Sequence, residues 1–195
     1  MVEHLTQEER AILLRLARQA LELGVHSQPL APLDLASLPL RLAEPGACFV
    51  TLTRRGELRG CVGALEPYQP LADDVREHAV AAALQDLRFP PVTAAELPEI
   101  AIEISCLTTP QPLDYSTPDE LPMRLRPGVD GVVLREGLRR ATFLPQVWEK
   151  LPKPEDFLRH LCMKMGVDAS YWRYKKLQVF TYQVEEFHEQ GVRSA

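Results

Sequence analysis

The chain has 195 residues, enough for one domain or two small ones and for a core that needs no metal or disulfide staple. Hydrophobic residues make up 46% and charged residues 25%, which excludes a wholly disordered chain. The net charge of −5, from 22 Lys plus Arg against 27 Asp plus Glu, puts binding of nucleic acid through a broad basic face behind other classes.

No apolar run approaches the roughly 20 residues of a membrane span, and MVEHLTQEER is too polar for a signal peptide. A cytoplasmic protein is expected. Its four cysteines, Cys48, Cys61, Cys106 and Cys162, show no C-x-x-C pair and no His at a zinc-finger offset. No metal and no cofactor is therefore expected, and the thiols are read as free.

In chain order, Thr6 with Glu9 three positions on forms a capping box that opens a helix over 6–23. Ile12, Leu13, Leu16, Ala17, Ala20 and Leu23 supply its apolar face, and Gly24 stands at the C-terminal cap position. The proline-rich stretch 25–45 reads as an extended connection held down by its leucines. Residues 47–53 and 58–64 form a hairpin across Arg54-Arg55-Gly56-Glu57. A helix over 71–85 follows, stopped by Arg88-Phe89-Pro90-Pro91, and then a strand over 100–107 with period-two alternation.

The second half repeats this outline. GVVL at 131–134, a turn at Arg135-Glu136-Gly137 and a strand over 138–144 lead to a helix at 155–165 capped by Gly166. A strand over 179–184 closes the pattern. Helices and hairpins alternate without a βαβ rhythm, so the fold class is α+β: hairpin-plus-helix units, duplicated in outline, forming a larger and a smaller closely packed subdomain.

Chemistry concentrates in Leu58-Arg59-Gly60-Cys61-Val62-Gly63. Strand alternation puts Leu58 and Val62 on one face and Arg59, Cys61 and Gly63 on the other. Glycines at 60 and 63 mark a bulge or a close approach of another backbone or a ligand. A thiol beside a guanidinium has its thiolate favoured, so Cys61 reads either as a nucleophile or as a small packed hydrophobe. His78, aligned with Leu71, Val75 and Ala82 on the inward helical face, is a candidate base if it lies near Cys61 or Asp86; otherwise it is a core histidine. Asp86, Arg88 and Phe89 form a joint in which the charges pair and fix the turn, or Arg88 faces a cleft and takes an anion.

Other clusters read as solvated surface. These are the basic hairpin Arg135, Arg139 and Arg140, and the stretch 148–176, where Trp148, Tyr171, Trp172 and Tyr174 mix with lysines, arginines and acids. The carboxylate pairs Asp73-Asp74 and Glu185-Glu186 sit on positions that read as exposed.

Leu58-Arg59-Gly60-Cys61-Val62-Gly63 resembles the L-R-G-C-[IV]-G signature of the AMMECR family. Asp86-Leu87-Arg88-Phe89-Pro90-Pro91-Val92 is similar to that family's D-x-R-F-x-P-[VL] joint. Ile102-Glu103-Ile104-Ser105 and Ala141-Thr142-Phe143-Leu144-Pro145-Gln146-Val147-Trp148 resemble further family segments, so the likeness runs from about residue 10 to 187. It implies a single AMMECR-type domain over 1–195 with two subdomains, and company with a radical-SAM protein and a Memo-like protein, as in the AmmeMemoRadiSam set. It carries no reaction with it.

Three functions follow as expectations. In the first, the chain is an accessory subunit that binds a small molecule or a partner's segment near Arg59, Gly60, Cys61 and Gly63, with Arg59 or Arg88 holding an anionic group. The second is a thiol enzyme with Cys61 as nucleophile and His78 as base. The third is a nucleic-acid-linked module using 148–176.

Overall fold

Two antiparallel sheets organise the chain in this computed structural model, which describes residues 4–189. The chain divides into two units, residues 4–108 with 185–189, and residues 109–184.

Helix α1 (Gln7–Val25) starts where the capping box predicts. The Thr6 hydroxyl accepts the Glu9 N–H at 3.2 Å, and the Glu9 carboxylate accepts the Thr6 N–H at 2.7 Å. Its end is a correction, because Gly24 does not cap the helix. It stands within the last turn, where a Cβ would lie 3.0 Å from Val80, so its bareness serves helix packing. The chain turns instead at Ser27, with φ of 55°. The stretch 25–45 is also more than an extended connection, since it holds helix α2 (Leu40–Ala43), whose Leu42 is fully buried.

Strands β1 (Pro45–Arg54) and β2 (Glu57–Gly63) pair as expected. Arg55 and Gly56, both at positive φ, make the two-residue turn that suits strand twist. Short β3 (Gln69–Pro70) lies on β1 and leads into helix α3 (Leu71–Leu84). Strand β4 (Ile100–Leu107) pairs with the other side of β1. Cys48, Val50 and Leu52 of β1, with Ile102 and Ile104 of β4, meet Leu13, Ala17 and Leu21 of α1 and Val75 and Ala79 of α3 in one core. Each fully buried Leu or Ile there contributes about 1.5–3 kcal/mol.

In the second unit come β5 (Gln111–Pro112), helix α4 (Leu121–Arg124), the hairpin β6 (Gly131–Glu136) and β7 (Arg139–Phe143), helix α5 (Pro154–Lys164), helix α6 (Tyr171–Tyr174) and β8 (Gln178–Tyr182). Trp148 stacks on Phe157 with ring centroids 3.7 Å apart, and its indole N–H donates to the Asp130 carbonyl at 2.7 Å. The expected strand over 179–184 is two strands, broken at Gln183, with β9 (Val184–His188) running on from β8.

The repeat is one of topology. In each unit a hairpin, a helix and a third strand follow one another, and the third strand pairs antiparallel with the first strand of the hairpin. The fourth strands are exchanged. Strand β5 follows β4 in the chain yet lies beside β8, and β9 follows β8 yet lies beside β4.

Two carboxylates expected at the surface are buried. Asp74 is fully enclosed on α3. Glu185 on β9 accepts the Leu5 N–H at 2.9 Å and faces Arg10, His4 and Arg41 at 3.2, 3.2 and 3.7 Å. Period-two placement on β9 turns Glu185 inward and Glu186 outward. Among the described residues, no helix is long and apolar enough to cross a membrane.

Candidate functional site

Strand β2 carries a bulge at Arg59. Gly60 faces Leu52 and Leu58 faces Thr53, which leaves Arg59 as the extra residue. The bulge overturns one expectation: Leu58 shares the face of Cys61, opposite Thr53 and Thr51, rather than that of Val62. It is accordingly 44% exposed. Gly60 and Val62 face the core. A Cβ on Gly60 would sit 2.1 Å from the Ala82 carbonyl oxygen, so the last turn of α3 lies directly on the strand because position 60 has no side chain. A Cβ on Gly63 would meet the Cys48 carbonyl at 2.4 Å. Both glycines answer to another backbone.

The free edge of β2 is closed by the joint after α3. The Cys61 N–H donates to Asp86 Oδ2 at 2.8 Å, and Arg88 Nη2 donates to the Cys61 carbonyl at 3.2 Å. The same guanidinium holds Asp86 through Nε and Nη2 at 2.9 and 2.6 Å. The pair thus offers Cys61 one acceptor and one donor, as a neighbouring strand would. Arg88 in particular, then the two backbone N–H groups of Cys61 and Arg88, hold the Asp86 carboxyl well below the usual carboxylate range. The Phe89 ring is half-buried and lies 5.5 Å from the Arg88 guanidinium. Leu87, between the paired residues, is 100% exposed.

Arg59 is engaged from within. Its Nε donates to Glu96 at 2.9 Å, Nη1 to the Pro90 carbonyl at 2.9 Å, and Nη2 to Glu96 at 3.2 Å and the Pro91 carbonyl at 3.4 Å. The Arg59 guanidinium, with the Thr93 N–H, pulls the Glu96 carboxyl down to about 2. Arg54 reaches the same carboxylate at 3.2 Å. The signature and the joint are therefore one interlocked piece, in which Arg59 fixes the loop that carries Asp86 and Arg88. Of the two arginines, Arg88 alone keeps a guanidinium nitrogen, Nη1, without a partner among the described residues.

Cys61 is the one cysteine of the four that is not buried. Its sulfur accepts the Thr51 hydroxyl at 3.4 Å. The structure does not bring His78 to it. Cys61 shares a face with Thr51, whereas His78 meets Cys48, which alternation places on the opposite, core face. His78 Nδ1 lies 3.2 Å from Asp74 Oδ2 and 4.0 Å from Cys48 Sγ, and Asp74 Oδ2 also accepts the Cys48 N–H at 2.9 Å. Burial pushes the Cys48 thiol well up. This is not a relay, since one ring nitrogen serves both contacts, whereas a relay needs the thiol and the carboxylate on different nitrogens.

Glu96, Thr51 and the Cys48–Asp74 pairing went unread in the sequence. A signal existed for Glu96, three residues after Thr93 in a second capping box. The other two depend on strand register. In the stretch 148–176, Trp148 and Trp172 are buried, Tyr171 donates to Glu136 at 2.8 Å and Lys175 pairs with Glu136. With Phe157, three of its five aromatic residues are core rather than stacking platforms.

The comparisons converge on one group of proteins. The chain is 39% identical to a protein of Thermofilum pendens over 95% of this chain and 92% of that one. It is 38% identical to a protein of Methanothermobacter thermautotrophicus over 96% and 97% of the two chains. The crystal structure of the uncharacterized protein PH0010 from Pyrococcus horikoshii is similar, with a TM-score of 0.69 and 32% identity over 91% of this chain and 90% of that one. The family profile described as AMMECR1 matches residues 14–187.

Proposed function

The chain belongs to the AMMECR1 family, and we propose that its part there is binding: it acts as an accessory subunit whose contact surface is the β2 edge around Cys61, with radical-SAM and Memo-like proteins as partners. One observation carries this reading. The Asp86–Arg88 clamp immobilises the backbone of Cys61 while leaving Leu87 fully exposed and Arg88 Nη1 open. A fixed edge with one apolar tip and one free cationic nitrogen suits an apolar segment that ends in a carboxylate or another anionic group. His78, the expected base, lies on the opposite, core face of the sheet with Cys48, which favours holding over turnover.

Titration calorimetry of the purified chain against purified radical-SAM and Memo-like proteins tests the reading. Leu87→Asp should weaken the complex at least tenfold without changing stability, because the side chain touches nothing. Equal affinity of Leu87→Asp and the parent for a partner that binds would remove the β2 edge from the proposal; no binding to either partner would remove the partners.

The partly exposed Cys61 thiol supports a second reading as a thiol-dependent enzyme. In that case the base is not His78, which lies on the opposite face of the sheet.

A further inference from the structure

We propose that Cys48, Asp74 and His78 form a binding site for one borderline-soft divalent cation of the Zn²⁺ class, on the face of the first sheet opposite Cys61. The three side chains come from two elements. Asp74 and His78 stand four residues apart on one face of α3, and Cys48 points at them from β1. All three are buried, and their donor atoms lie within 4.8 Å of one another. The Nδ1–Oδ2 and Nδ1–Sγ separations are 3.2 and 4.0 Å. Ligands at ordinary zinc distances in a tetrahedron stand about 3.3–3.5 Å apart, so the two imidazole separations are within about half an ångström of that spacing, and the sulfur–carboxylate pair, within 4.8 Å, closes by at most about 1.3 Å to hold an ion.

Charge supplies the second argument. Asp74 is fully enclosed, and among the described residues no Lys or Arg pairs with it. Its ion-pair neighbour His78, at 3.2 Å, is cationic only when protonated, and a buried carboxylate facing a neutral imidazole is costly. Exchange of the Cys48 thiol proton for a divalent ion leaves thiolate, carboxylate and ion with no net charge, while the His78 ring proton moves to Nε2. The donor set of thiolate, imidazole and carboxylate selects this class of ion over Mg²⁺ or Ca²⁺, which take oxygen ligands. Three protein ligands leave a fourth position for water. Gln69 stands 3.5 Å from Asp74 Oδ1 and links it to Glu77 and the exposed Tyr68, which gives the cluster a polar route to solvent.

Without an ion, the Cys48 N–H, the thiol and the His78 Nδ1–H can all turn to Asp74 as a hydrogen-bonded core. Cobalt separates the two arrangements. Chelator-treated full-length protein, titrated with Co²⁺, should take up one ion per chain with a thiolate-to-cobalt charge-transfer band and the visible bands of tetrahedral cobalt. Zn²⁺ should displace it and raise the thermal midpoint of the parent protein. Cys48→Ser and Asp74→Asn should lose the charge-transfer band; Cys61→Ser and Cys162→Ser should keep it. A folded parent protein without the band at saturating Co²⁺ overturns the proposal, as does a band that survives Cys48→Ser. Should the Cys48 and Asp74 variants fail to fold, the parent's spectrum and its Zn²⁺-dependent midpoint decide the matter alone.

Discussion

Asp86 accepts the backbone N–H of Cys61 at 2.8 Å, so a side chain from the turn after α3 stands where a neighbouring strand's carbonyl would be. The partial exposure of Cys61 therefore reflects a strand edge closed by two side chains rather than by another strand. Asp86→Ala removes an acceptor from a part-buried N–H and strands the Arg88 guanidinium. It should cost about 2–3 kcal/mol in urea unfolding, and Asp86→Asn less. A neutral Asp86→Ala would mean that water replaces the clamp.

The acid limb of stability should carry the mark of the same region. Asp86 and Glu96 both ionise more readily folded than unfolded. Their contribution is fully present above the unfolded values near 4 and is lost as pH falls towards the folded ones, about 2 for Glu96. Stability measured by urea at pH 5 and pH 3 should drop for the parent. The drop should be smaller in Glu96→Gln, which has no such carboxylate to protonate; equal drops would contradict the assignment.

Gly60→Ala should destabilise by about 3 kcal/mol, because the new Cβ would lie 2.1 Å from the Ala82 carbonyl oxygen, which is backbone and cannot rotate away. Denaturant midpoints check this. A mild loss would show that α3 can slide off the strand.

Alkylation of the native protein, read by mass spectrometry, should label Cys61 first, with Cys48, Cys106 and Cys162 protected until unfolding. Arg88→Gln should speed labelling, because the donor that ties the Cys61 carbonyl to the joint is gone. Unchanged labelling in Arg88→Gln would mean that Arg88 does not hold the β2 edge closed.

Glu185 gathers the Leu5 N–H, His4, Arg10 and Arg41 around one enclosed carboxylate. Its loss in Glu185→Ala leaves those groups facing a void, and a cost of about 3 kcal/mol is expected in thermal or urea unfolding.

Much of this was legible in the residues. Thr6 with Glu9, the alternation of 100–107 and the turn glycines fix the elements because each is a local signal. The segments 58–63 and 86–92 stood out too, through the family resemblance. What those residues do was not legible. The Arg59 bulge, the clamp on Cys61 and the parting of Cys61 from His78 all follow from the register of β1 against β2, a relation between segments that no local pattern records. Asp74 and Glu185 misled for the same reason: charge reads as exposure until the partners that enclose it are known. Gly24 misled because a glycine near a helix end serves packing as readily as capping.

The exchange of fourth strands sets an order on synthesis. A ribosome completes β1, β2 and β4 long before it releases β9, so the nascent first sheet waits with the outer side of β4 unpaired while the whole second unit is made. A fragment ending at residue 108 is thus a natural target for holdase chaperones, and in their absence it should associate with itself through that strand.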